Sequence, residues 1–219
     1  MIRIFIADDH PVVRTGLRHL VEQDPDMTVT GEVASRYDLI DAIARTNADV
    51  VLLDVSMPGM SFIETLQCLR DEHPSVKILV LSVHPEDQFA VRALRAGASG
   101  YLTKDHSGTE LLDAVRRVFR GGRYVSDALA ERLASFVDPR FEGMPHERLS
   151  DREFEVLRSL GTGLSVKEAA DELHLSPKTV STYRARLLEK MGLSSTADIV
   201  RYAATHGLIE APENAVSYA

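Results

Sequence analysis

An α/β fold, a five-stranded parallel doubly wound sheet followed by an all-helical unit, is what this sequence predicts. Two observations carry the first half. Short apolar runs alternate with helix-period segments five times in roughly 120 residues, and such alternation implies a parallel sheet covered on both faces. Four of the runs stop on a residue able to do chemistry. The third observation is a change of pattern: from Leu149 onward every periodic segment is helical.

The elements follow in order. Ile2–Ala7 is a short strand that ends on Asp8-Asp9. Pro11 suits a first helical position, and Val12, Val13, Leu17, Leu20 and Val21 recur at helical spacing until Asp24-Pro25-Asp26. Met27–Val33 is the second strand, and residues 37–44 form a helix with Leu39, Ile40 and Ile43 on one face. Val50, Val51, Leu52 and Leu53 are four consecutive aliphatic residues, which suits a strand buried on both faces. Asp54 sits at its C-terminal end, and Pro58-Gly59 forces a turn. Residues 62–69 are helical on Ile63, Leu66 and Leu69. Residues 76–81 are a buried strand ending at Ser82, and residues 89–96 a helix stopped by Gly97. Residues 99–103 make a short strand leading to Lys104. Leu111, Leu112, Val115, Val118 and Phe119 mark the next helix, which Gly121-Gly122 ends.

Residues 127–136 read as a helical connector, and 137–146, with Pro139, Gly143 and Pro145, as a linker. A helix over 151–160 has Ser150 as its N-cap and Glu153 to complete a capping box. Ser165 and Glu168 repeat the device before residues 166–173. Ser176 caps, and Pro177 opens, a helix that reaches Met191 and stops at Gly192. A last helix spans residues 195–206. The expected boundaries are 1–122, a connector and linker over 123–146, a second domain over 147–210, and a tail over 211–219.

The composition, 44% hydrophobic and 26% charged, allows a proper core. A net charge of −8 argues against a general polyanion binder but leaves room for a small basic surface. Cys68 is the single cysteine, so no disulfide framework or cysteine zinc knuckle is available, and a reducing compartment is expected. Residues 1–7 run straight into acid and are too short for a signal peptide. No apolar run nears the ~18 residues of a membrane span. A cytoplasmic location without a membrane partner is therefore expected.

A parallel sheet of this kind lays the ends of the first, third, fourth and fifth strands along one edge, where sites form. Those ends carry Asp8-Asp9, Asp54, Ser82 and Lys104. Three carboxylates placed together repel one another unless a cation neutralises them. Mg²⁺ is the natural cation, because it takes oxygen ligands, keeps several waters and binds through a carboxylate or two plus phosphate. Lys104 adds a point charge for a phosphoryl oxygen, and Ser82 can donate a hydrogen bond to the same group. An aspartate after an apolar run can instead merely cap a turn; four compatible strand ends favour the chemical reading.

In the helical half, residues 166–173, a tight turn and residues 176–191 read as a helix-turn-helix whose second helix enters the major groove by its N-terminal residues. Val180, Leu187 and Met191 share the inward face, bordered by Tyr183 and Leu188. Lys178, Ser181, Thr182, Ala185 and Glu189 lie opposite. Lys178, Arg184, Arg186 and Lys190 supply charge for phosphates, while Ser181, Thr182 and Ala185 can offer a hydroxyl or methyl to bases. The alternative is an ordinary helical hairpin with a solvated charged face.

Asp8-Asp9-His10-Pro11, Asp54 with Met57-Pro58-Gly59-Met60, Ser82, and Gly100-Tyr101-Leu102-Thr103-Lys104 resemble the receiver domain of two-component response regulators. The resemblance implies that Asp54 accepts a phosphoryl group from a sensor histidine kinase. It further implies that Asp9, Asp54 and the Ser56 carbonyl ligate Mg²⁺, with Asp8 helping through water. Ser82 and Tyr101 would be a switch pair and Lys104 the phosphoryl partner; a half-buried Tyr101 that does not move is the alternative. Phe62 and Asp105 depart from the family pattern, where glycine and proline are usual. Leu149-Ser150-Asp151-Arg152-Glu153, Lys167-Glu168-Ala169-Ala170, Leu175-Ser176-Pro177-Lys178-Thr179-Val180 and Lys190-Met191-Gly192-Leu193 resemble the LuxR-type helix-turn-helix. Tyr183 and Val166 differ from the usual histidine and asparagine.

Together these features are similar to a NarL/FixJ-type response regulator. That resemblance implies a transcription regulator and not a turnover enzyme. Double-stranded promoter DNA would be met by Lys178, Thr179, Ser181, Thr182, Arg184, Ala185, Arg186 and Lys190, an active homodimer would bind half-sites, and RNA polymerase is a further candidate partner. Over 147–210 there are 9 Lys and Arg against 10 Asp and Glu, so affinity should depend on pairing two half-sites. The rival of another class is an aspartate-nucleophile phosphatase, whose second acid would fall where Ser56 stands. A third reading is an interaction module that is never phosphorylated.

Overall fold

The computed structural model describes residues 1–82, 86–135 and 144–209, and for residues 86–89, 132 and 135 the backbone alone. The chain divides into two compact units, Met1–Val137 and Asp138–Ala219.

The first unit alternates β1 (Ile2–Ala7), α1 (Pro11–Glu22), β2 (Met27–Val33), α2 (Arg36–Ala44), β3 (Val50–Asp54), α3 (Phe62–Glu72), β4 (Lys77–Ser82), α4 (Glu86–Ala96), β5 (Gly100–Thr103) and α5 (Gly108–Phe119), then adds α6 (Asp127–Ser135). The five strands make one sheet in the order β2-β1-β3-β4-β5, with every pairing parallel. All five residues of β3 are buried, as its unbroken aliphatic run requires for a strand covered on both sides. Alternate residues serve opposite faces. Ile4, Ile6, Val50, Leu52, Leu79, Leu81 and Leu102 join one cluster with Val21 of α1 and Leu111, Ala114, Val115 and Val118 of α5. Their neighbours Phe5, Val51, Leu53, Ile78, Val80 and Tyr101 are equally buried and by that alternation face the other way. Each fully buried aliphatic side chain is worth about 1.5–3 kcal/mol, so the middle of the sheet supplies most of this unit's stability. The chain winds outward from β1 to β2 and then to the other side at β3. The crevice beyond the strand ends therefore opens next to β1 and β3.

In this unit α2, α4 and α5 start earlier, and α3 runs longer, than the apolar pattern alone predicts. Polar first turns hide from hydrophobic periodicity: α5 opens on a capping box in which Ser107 accepts from the Glu110 amide and Glu110 accepts from the Ser107 amide. The segment read as connector and linker over 123–146 also contributes to both units. Tyr124 bridges Gly100 at the outer edge of β5, with the Tyr101 amide donating to Tyr124 O at 3.0 Å and the Tyr124 amide to Ser99 O at 3.2 Å. A Cβ on Gly100 would fall 2.8 Å from Tyr124 O, so only glycine permits this approach. Leu129 of α6 is buried, and α6 packs against α4. At the other end Pro145–Arg148 forms a 3-10 turn, not loose chain. Its His146 is buried, with Nδ1 2.9 Å from the Tyr202 hydroxyl. Proline marks a loop in sequence, but it equally opens a helical turn. Residue 136 of the expected connector, residues 137–143 of the expected linker, residue 210 and the tail over 211–219 lie outside the described residues.

The second unit is helical: α7 (Asp151–Gly161), α8 (Val166–Glu172), α9 (Pro177–Met191) and α10 (Thr196–Thr205). Ser150 with Glu153 and Ser165 with Glu168 close the two expected capping boxes, and the Ser176 side chain accepts from the Thr179 amide. Each such cap is worth about 1 kcal/mol. Phe154, Leu157, Leu160, Ala169, Ala170, Val180, Leu187, Ile199 and Ala203 form the core.

Candidate functional sites

The strand ends deliver four chemical groups to one place. Asp54 closes β3, Asp8 follows β1, Ser82 closes β4, and each is 1% exposed. Ser82 pairs with Thr103, and the Lys104 amide donates to Ser82 O at 2.7 Å, so the sheet's register fixes where Lys104 begins. Its ammonium reaches back across the edge to lie 2.7 Å from Asp8 Oδ2 and 3.1 Å from Asp54 Oδ1. His10 Nδ1 lies 2.8 Å from Asp9 Oδ1, 3.4 Å from Asp8 Oδ1 and 4.0 Å from Asp54 Oδ2. The Asp8 main chain is held in turn, its carbonyl accepting from Arg14 Nη1 at 2.6 Å.

Burial, the largest influence, pushes the Asp54 carboxyl above its usual range; the Lys104 charge opposes this and the Asp8 charge adds to it. For Lys104 burial works downward, but the hydrogen bond to Asp8 and the charge of Asp54 outweigh it and leave its pKa raised. Lys104 thus stays an ammonium, and its attraction keeps two crowded carboxylates tolerable.

Asp8, Asp9, His10 and Asp54 bring one ligand atom each within 4.8 Å of one another. Asp9 Oδ1 and Asp54 Oδ2 are buried oxygens without a hydrogen-bond donor, Asp9 Oδ1 despite its closeness to the imidazole. A buried carboxylate oxygen left unpaired is costly. Two of them facing one pocket, in a set dominated by hard oxygen donors, fit a hard divalent cation such as Mg²⁺.

Ser56, in the turn after Val55, is exposed. Tyr101 is fully buried rather than half-buried. Phe62, at the start of α3, is buried and Asp105 is exposed. His10 carried no role in the sequence reading, although it stands inside the acid motif; its position directly after two carboxylates was the available signal.

On α9, Val180 and Leu187 are fully buried, Met191, Tyr183 and Leu188 are half-buried, and Lys178, Ser181, Thr182, Ala185, Arg186 and Glu189 are exposed. Thr179 is half-buried, its hydroxyl 2.7 Å from that of Ser176. The Thr182 hydroxyl donates to Lys178 O at 3.0 Å. Two of the four cations are engaged within the unit. Arg184 Nε donates to the Thr196 hydroxyl at 2.8 Å, and the Lys190 ammonium lies 2.6 Å from Glu153 Oε2. Glu153 is the buried member of the α7 capping box, so Lys190 ties α9 to α7.

Comparison with known proteins matches these two sites in turn. Residues 4–116 match the response regulator receiver domain, and residues 147–203 the LuxR family of bacterial regulatory proteins. The chain is 38% identical over 213 residues to the response regulator GacA of Pseudomonas viridiflava, covering 96% of this chain and 99% of GacA. It is 36% identical over 213 residues to the response regulator UvrY of Escherichia coli K12, covering 96% and 97%. Among solved structures it is similar to RcsB from Salmonella enterica serovar Typhimurium bound to promoter rprA in the presence of the phosphomimetic BeF₃⁻. There the identity is 28% and the TM-score 0.72, over 93% of this chain and 98% of that one. Receivers as a family bind Mg²⁺ through acidic residues, and the aspartate cluster has that character. No helix among the described residues is long and apolar enough to cross a membrane. The chain therefore belongs to the NarL/FixJ family of two-component response regulators, in which a receiver domain is joined to a LuxR-type DNA-binding helix-turn-helix.

Proposed function

We propose that Asp54 is the phosphoacceptor of a cytoplasmic transcription regulator whose DNA binding rises on phosphorylation. One observation carries this reading: the Asp54 carboxylate has one oxygen 3.1 Å from the Lys104 ammonium and the other unpaired beside Asp9. In the transfer, an Asp54 carboxylate oxygen attacks the phosphorus of a phosphohistidine on the sensor kinase. The N–P bond breaks and the imidazole leaves, taking a proton. Asp9, Asp54 and the Ser56 carbonyl would hold Mg²⁺, with Asp8 helping through water, and the bound ion would supply positive charge to offset the carboxylates and the incoming oxygens. Lys104 pairs with a phosphoryl oxygen and Ser82 donates to another.

The acyl phosphate leaves about two extra negative charges at the strand edge, by analogy with other phosphorylated side chains. Ser82 and Tyr101 then respond as a switch pair, a local charge biasing a two-state element. Residues 1–122 carry this chemistry, 123–146 connect, and 147–210 bind DNA. On DNA, the α9 residues Lys178, Thr179, Ser181, Thr182, Arg184, Ala185, Arg186 and Lys190 face the duplex, and a homodimer spans two half-sites. The RcsB complex, formed on promoter DNA with a phosphomimetic, supports this reading by likeness.

The test uses purified protein with Mg²⁺, with and without beryllofluoride, beside Asp54→Ala. Oligomeric state is read with binding to a duplex that the protein selects from a random pool. A mimic-dependent dimer with tighter DNA binding, absent in Asp54→Ala, is expected. Dimers and DNA affinity that ignore the mimic would reduce the receiver to a constitutive docking module.

A further inference from the structure

Arg36 opens α2 and is only 9% exposed, yet the phosphoryl chemistry makes no use of it. Its Nε donates to Met60 O at 2.8 Å and its Nη1 to Val55 O at 2.8 Å. Its own amide donates to Pro58 O at 2.9 Å. One residue therefore grips both ends and the middle of the loop over 55–60, the loop that leaves Asp54. Gly59 shows how close the two segments lie. Its φ is +128°, and a Cβ there would come within 3.0 Å of both Arg36 Cβ and the Tyr37 amide nitrogen. The loop can rest on the start of α2 only because that position has no side chain.

Ser56 sits within the gripped span, next to Val55. We propose that Arg36 is a positioning residue that fixes the 55–60 loop and so aims the Ser56 carbonyl at the acid pocket. The inference rests on the proposed function in one respect, that this carbonyl completes the ligand set of the divalent cation. A buried guanidinium suits such a role, because it donates charge-assisted bonds to two carbonyls in a rigid fork, which a lysine ammonium cannot reproduce. The two carbonyls in turn are main-chain groups in a buried corner that need a partner.

The experiment compares wild type, Arg36→Ala and Arg36→Lys with Arg70→Ala. Arg70 makes the same kind of bond, from Nη1 to Ala96 O at 3.1 Å, but from the last turn of α3. Mg²⁺ affinity is measured by calorimetry, and amide exchange over 55–60 is measured in metal-free protein. Arg36→Ala should speed exchange in that loop and weaken Mg²⁺ about tenfold, the usual scale for loss of a group that orients a ligand. Arg36→Lys should weaken it at least about fivefold on the same grounds. Arg70→Ala should leave both readings near wild type even where it lowers the melting temperature. Unchanged loop exchange in Arg36→Ala, wild-type Mg²⁺ affinity in Arg36→Lys, or equal weakening in Arg70→Ala would each overturn the proposal. If Arg36→Ala does not fold, Arg36→Lys carries both measurements. If wild type itself binds no Mg²⁺, the metal reading fails, and exchange in the metal-free loop alone decides whether Arg36 holds it.

Discussion

In the acid pocket the working side chains come from positions 8, 54, 82 and 104, the first three nearly sealed from solvent and Lys104 half-buried, whereas on α9 the outward residues follow one another within four turns and lie open. The pocket is assembled by strand register, so each group is held by the sheet before any ligand arrives. The α9 surface is assembled by helical spacing alone, and its cations are held or free according to what else the small unit needs. A cation that closes the core, as Lys190 does on Glu153, is less available to a phosphate than Lys178 or Arg186. Preorganisation in the pocket therefore concentrates function in single residues, and exposure on α9 spreads it over several.

That contrast orders the expected effects of substitution. Asp54→Ala should abolish hydroxylamine-labile labelling by a phosphodonor, and residual labelling would move the acceptor elsewhere. Lys104→Ala should cut mimic-dependent DNA binding by an order of magnitude or more, since the group that would grip the phosphoryl oxygen is gone. The same variant should bind Mg²⁺ more tightly, because the ammonium on Asp8 and Asp54 competes with the ion; weaker Mg²⁺ binding would show Lys104 to be a structural brace. On α9 the effects are smaller. Lys178→Ala and Arg186→Ala should each weaken DNA binding several-fold and reduce the salt slope by about 1, while Lys190→Ala changes the slope less and lowers stability by about 1 kcal/mol. Equal slopes for all three would erase the distinction between free and engaged cations.

The smallest effect is one of pH. Burial works to raise the Glu153 pKa, but the Lys190 ammonium and the Ser150 donors outweigh it and hold it below the usual value of 4.5. A lowered folded-state pKa contributes stability that is complete above the unfolded value and is lost as pH falls through the folded one. The melting temperature of wild type should therefore exceed that of Glu153→Gln at neutral pH, and the gap should close below about pH 4.5.

What the sequence shows of these sites follows the same division. Asp8, Asp54, Ser82 and Lys104 are legible because each stands where an apolar run stops, and a parallel sheet can bring such ends to only one edge. Arg36 and the role of His10 are not: an arginine after a helix cap reads as a surface residue until the fold buries it, and His10, which stays exposed, shows its closeness to the carboxylates only once the chain is folded. Helix α9 is legible down to its inward face, since Val180 and Leu187 fall at core spacing. Its pairing of Lys190 with Glu153 joins positions 37 apart, which no local pattern encodes. The helix starts at Gly108 and Glu86 and the turn at Pro145 escape for a different reason: their first turns are polar or proline-led, and periodicity sees only apolar residues.

The bridge between Gly100 and Tyr124 also bears on how the first unit survives in crowded solution. β5 is the last strand of its sheet, and an open edge of unpaired amides and carbonyls is a template for strands of other molecules. Here the chain turns back after α5 and spends two of its own hydrogen bonds on that edge, while α6 lies over the neighbouring helix. A fragment ending at Gly122 would carry every group of the acid pocket and still lack this cover. It should self-associate at concentrations where a fragment ending at Ser135 remains monomeric, which light scattering on the two would read directly.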